Sequence, residues 1–183
     1  MNVNFSFTDA AQVSPVIFEK VLGEKPGGGM IPNPAYDLLP GTAIAIDSGV
    51  FKPIKAFRLV KANLVGDTTI EIAKGSGIET GDAIGNVKKA VACTAVDKTN
   101  ATKDVVTVTM GVAIDNGTVL YQAAAASASS AVPIYTPKYL LGTKILAGKG
   151  GQAAKLVVAA VVRKETVNAS NEVLALLPTI NAV

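Results

Sequence analysis

The chain has 183 residues, no histidine, no tryptophan and one cysteine, and its 17 Lys and Arg against 14 Asp and Glu leave a net charge of +3. Without histidine there is no Ser-His-Asp triad, no Cys-His dyad and no His-bearing zinc site. Hydrophobic residues reach 49% and charged residues only 17%, below the roughly 25% usual for globular domains. Apolar surface in excess of one small core is therefore expected to be shared between copies of the chain.

Residues 1–40 read as an extended N-terminal arm. Its first ten residues show neither the basic cluster nor the apolar run of a secretory leader. Phe5 and Phe7 alternate with polar residues, and Pro15–Val21 suits a short strand or one helical turn. Lys25-Pro-Gly-Gly-Gly-Met-Ile-Pro-Asn-Pro then interrupts helix and strand alike. The apolar side chains of Phe5, Phe7, Ile17, Phe18, Met30, Ile31 and Tyr36 need a surface to lie on, either the chain's own domain or another subunit.

Residues 41–183 read as one β domain. Gly41–Asp47 alternates, and Ser48-Gly49 turns it. Lys55–Leu64 favours a strand, which the turn Val65-Gly-Asp67 and the alternating Thr68–Lys74 would close into a hairpin. Gly75–Asp82 is rich in turn residues and leads into Ala83-Ile-Gly85. Val87–Val96 is the next strand, with Cys93 inside it as a small buried hydrophobe. The polar Asp97–Asp104 is a hairpin loop before Asp104–Met110, where Val106, Val108 and Met110 share a face. Asp115-Asn-Gly117 is a hairpin-type turn, and Thr118–Tyr121 returns from it. The alanine-rich 123–131 is a loop or short helical turn, and Pro133 and Pro137 bracket another extended path. After a turn at Gly148–Gly151, Ala154–Arg163 is an aliphatic strand buried on both faces. A loop and a short strand or helical turn follow. The fold class expected is all-β, a compact antiparallel β-barrel or sandwich.

Motifs that would carry chemistry fail on spacing. Gly27-Gly28-Gly29 and Gly148-Lys149-Gly150-Gly151 lack the frame of a phosphate loop. Asp97, Asp104 and Asp115 do not have calcium-loop spacing and are explained as turn formers. Sugar clefts usually present aromatic platforms, and aromatics are 5% here. The lysines are scattered, with Lys88-Lys89 the one adjacent pair, so no nucleic-acid footprint is visible. The aliphatic run Leu156–Val162 is too short to span a bilayer. No enzyme activity, cofactor or metal is expected, nor a nucleic-acid or membrane partner.

The run from Gly41 through Ala62 (Gly-Thr-Ala-Ile-Ala-Ile-Asp-Ser-Gly-Val-Phe-Lys-Pro at its start) is similar to head fiber proteins of tailed phages that infect Bacteroides-like bacteria. Thr68-Thr-Ile-Glu-Ile-Ala-Lys, the turn Ile78-Glu-Thr-Gly-Asp-Ala-Ile84, Val96 to Val108, Gly117-Thr-Val-Leu-Tyr-Gln and Tyr135-Thr-Pro-Lys138 continue the likeness to residue 142. The resemblance implies a virion protein on the capsid exterior, made in the bacterial host cytoplasm and seated as a trimer on the major capsid protein. With neither a distal shaft repeat nor a second domain, a compact decoration subunit is the form expected. The seven apolar arm residues are then the capsid-contact candidates. A tail or baseplate β protein and a lectin-like surface-binding module are the alternatives.

Overall fold

The computed structural model describes residues 15–183, so Phe5 and Phe7 lie outside the described residues. These fold into fifteen strands and one single-turn helix. The strands are β1 (Phe18–Glu24), β2 (Gly29–Ile31), β3 (Ala43–Asp47), β4 (Val50–Pro53), β5 (Ala56–Arg58), β6 (Thr69–Ala73), β7 (Ala83–Gly85) and β8 (Ala90–Ala92). They continue as β9 (Ala95–Asp97), β10 (Lys103–Thr107), β11 (Val119–Ala123), β12 (Pro137–Leu141), β13 (Gln152–Ala154) and β14 (Leu156–Val162). The helix α1 (Asn171–Leu174) and β15 (Ile180–Ala182) follow.

Four sheets result, and none closes into a barrel among the described residues. The six-stranded sheet runs β1-β14-β12-β3-β4, with β15 added parallel to β14. The others are the four-stranded β5-β11-β7-β8, the three-stranded β6-β10-β9 and the ribbon β13-β2. Alternation along the strands shows how they stack. In β10, Val106 faces a core shared with Ile84 and Leu120 of the four-stranded sheet. The next residue in β11, Tyr121, faces a second core with Leu140 and Val157 of the six-stranded sheet. Their neighbours Leu141 and Leu156 face a third core, with Ile31 and Ala154 of the ribbon. The inner strands of the two larger sheets are thus covered on both faces, which is how a chain of 49% apolar residues buries them.

Glycine sets the turns where side chains are disallowed. Ser48 and Gly49 have φ of 49° and 80°, and Asp47 pairs with Val50, a two-residue turn with the primed geometry hairpins prefer. A different turn recurs before β3, β7 and β11. The N–H groups of Thr42, Asp82 and Thr118 bond back to the carbonyls of Leu39, Glu79 and Asp115. The third residue each time is a glycine at positive φ: Gly41, Gly81 and Gly117. Asn116-Gly117 is therefore not a primed hairpin turn, since Asn116 does not share the positive φ.

Several expected elements change. The 55–74 hairpin is reduced to the bridge Leu59 to Ile72 and one further backbone bond from Val60 to Glu71, while β6 pairs mainly with β10 and β5 with β11. Val87–Val96 breaks into β8 and β9, which join different sheets, with Cys93 buried between them. The alanine-rich loop is tied down by Tyr121, whose hydroxyl donates to the carbonyl of Ala131 at 2.9 Å. Within the arm, Phe18–Glu24 and Gly29–Ile31 are strands of the domain's own sheets.

Candidate functional site

Two places stand out, the N-terminal strand and a cleft near Tyr36. β1 pairs antiparallel with β14 from Phe18↔Val162 to Glu24↔Val157. It is the terminal strand of its sheet, and its burial is low along its whole length. Val21 is 38% and Leu22 60% exposed. They are consecutive and both are open to solvent, while Phe18 at the start of the strand packs against the core. Val16 is also exposed, while Ala159 and Val161 of the neighbouring β14 are half-buried. Three register irregularities and the charged Glu19, Lys20 and Glu24 interrupt the edge, devices that discourage indiscriminate strand pairing. Glu19 pairs with Arg163, and Glu24 with Lys155 at 2.7 Å.

The seven sequence candidates scatter. Phe5 and Phe7 lie outside the described residues. Ile17 and Phe18 are half-buried against the core of the six-stranded sheet. Ile31 is fully buried in the ribbon core, and only Met30, at 60%, is openly exposed. Tyr36 clasps the middle of the chain. A Cβ added at Gly77 would lie 2.2 Å from its ring, so only glycine lets the ring sit there. The Tyr36 hydroxyl is buried without a partner. Burial first, and the charge of Asp82 second, hold its pKa above the usual phenol range.

Beside this clasp lies a cleft of about 240 Å³, where the segment around Tyr36 and Thr42 meets β5, β6 and Asn168. Arg58 lines it. Its guanidinium donates to the carbonyls of Gly117 at 3.1 Å and Val167 at 2.7 Å. No carboxylate pairs with it among the described residues. Burial lowers its pKa, the direction expected of a cation held from water without a counter-ion. Ser76 Oγ, also in the lining, is buried without a hydrogen bond. Lys74 is occupied by the buried Asp104 at 2.7 Å and by the carbonyl of Lys98 at 2.6 Å. A shallower apolar groove of about 290 Å³ lies elsewhere, beside Val87, Val112 and Ile114.

Sequence reading missed the cleft, because its residues come from four separate stretches. The one signal was Arg58, an arginine inside an apolar strand. No family model matches the chain, and no curated protein or solved structure matches it.

Proposed function

We propose that this chain is a structural virion protein that decorates the exterior of a tailed-phage capsid. In this reading it associates with sister copies as a trimer and seats on the major capsid protein through its N-terminal segment. The observation that supports it is β1, a seven-residue edge strand exposed over most of its length and carrying the open Val21 and Leu22. An edge strand with exposed apolar side chains is suited to contact with another protein. The ordered likeness of residues 41–142 to head fiber proteins supplies the kind of partner. Weak contacts of this sort suffice when many copies act together on one lattice.

The test is co-sedimentation with purified heads stripped of this protein. A deletion reaching residue 36 is unsuitable, because it removes β1, β2 and the buried Ile31. Val21→Asp combined with Leu22→Asp alters only exposed side chains. Occupancy is expected to fall at least tenfold with the melting temperature kept. Full occupancy by the double variant would reject β1 as the contact, and no binding by the unaltered chain would reject the function.

A further inference from the structure

We propose that the cleft beside Tyr36 binds a small monocarboxylic acid, its carboxylate on Arg58 and its alkyl part against Ile54, Ala56 and Ala73. This goes beyond capsid decoration and does not depend on it. A guanidinium carries five N–H donors, and two bonds to carbonyls leave donors free. Those carbonyls position Arg58 but bring no negative charge. A half-buried cation without a counter-ion invites an anion, and the planar guanidinium fork matches a carboxylate.

The other charges in the lining are engaged. Lys74 is held by Asp104. Asp37 is held by Lys144 at 2.7 Å and by the backbone N–H of Ala147 at 2.9 Å. One unmatched positive charge therefore remains, which suits a monoanion. A phosphate dianion would overshoot it and meet Asp37. Ile54 and Ala56 are buried apolar wall, so the site pairs one charge with a greasy side, as a short-chain acid does. About 240 Å³ is just below the roughly 300–1,000 Å³ of drug-sized ligand sites, which suits a ligand as small as a short-chain acid.

The probe is sodium butyrate, titrated into the full chain at constant ionic strength and followed by thermal unfolding. Inorganic phosphate and butyramide are the comparison arms, one without the tail and one without the charge. Butyrate is expected to raise the unfolding temperature saturably, with a dissociation constant of about 1–10 mM, and the other two are not. Arg58→Gln is expected to weaken the response at least tenfold. Because Arg58 also ties two loops, Ala73→Leu is the second variant. It narrows the cleft while keeping Arg58 and its carbonyl bonds, and it is expected to remove the butyrate response. No saturable response to butyrate, an equal response to phosphate or butyramide, or an unchanged response in Ala73→Leu would each overturn the proposal. Should Arg58→Gln not fold, Ala73→Leu and the comparison arms decide.

Discussion

Gly77 and Tyr36 carry the contact that joins the N-terminal segment to the middle of the chain. Gly77→Ala forces a methyl into the Tyr36 ring and strains a φ of +71°. Gly75, in the same loop, has a φ of +81° but nothing within 4 Å of an added Cβ. Gly75→Ala is thus expected to cost about 1–2 kcal/mol from backbone strain alone. Gly77→Ala should cost about 2–4 kcal/mol, with overpacking added to the strain. Urea unfolding of the two variants compares them, and equal losses would mean that the ring moves aside freely. Tyr36→Phe removes a buried hydroxyl with no partner, so it should leave stability unchanged or raise it by up to about 1 kcal/mol. A loss above about 1 kcal/mol in the same assay would show that the hydroxyl is hydrogen-bonded in solution.

Single elements differ in how much of them is written locally. β6 and β10 follow from alternation, because one face of each is buried: Ile70 and Ile72, then Val106 with Val108 beyond the strand. β14 reads as aliphatic throughout because it lies inside a sheet with partners on both edges. β12 escaped notice because Pro137 opens it, and proline is normally a strand breaker. Here that proline pairs at an irregular register with Ala45. The break at Cys93-Thr94 is equally hidden, since an apolar run does not reveal that its halves join different sheets. The strand character of Phe18–Glu24 was ambiguous because its partner lies more than 130 residues away. The cleft is the extreme case, as no local pattern announces four stretches meeting around one arginine. For the helix, the Ser170 side chain accepts from the Val173 N–H at 3.2 Å and is buried. Ser170→Ala should therefore cost about 1 kcal/mol, measured by urea unfolding. A neutral result would show that α1 is fixed by the packing of Val173 and Leu174 alone.

The whole molecule has an unusual titration profile, since no histidine is present. No side chain with an ordinary pKa titrates between about pH 5 and 8. Asp37, Glu71 and Asp97 are held below their usual values, first by hydrogen bonds from Lys144, Lys103 and the Thr99 N–H respectively. A lowered folded-state pKa gives stability that is present above the unfolded values of 3.8 and 4.5 and lost as pH falls through the folded ones. Burial raises the pKa of Tyr36, Tyr121 and Cys93, so their contribution is full below the unfolded values of 9.0 and 10.0 and fades as pH rises past them. Thermal unfolding across pH should show a plateau from about pH 5 to 8 that falls away on both sides. A step inside that plateau would contradict these assignments.

The stacked sheets close over three cores, and β1 joins them only through Phe18, leaving Val21 and Leu22 exposed. The most direct test of the proposed capsid role is electron cryomicroscopy of phage particles assembled with this chain. The prediction is a density for it on the outer face of the capsid, in threefold groups, with Val21 and Leu22 covered by a sister copy or the shell. A chain found in the tail, or a β1 that faces open solvent on the particle, would contradict it.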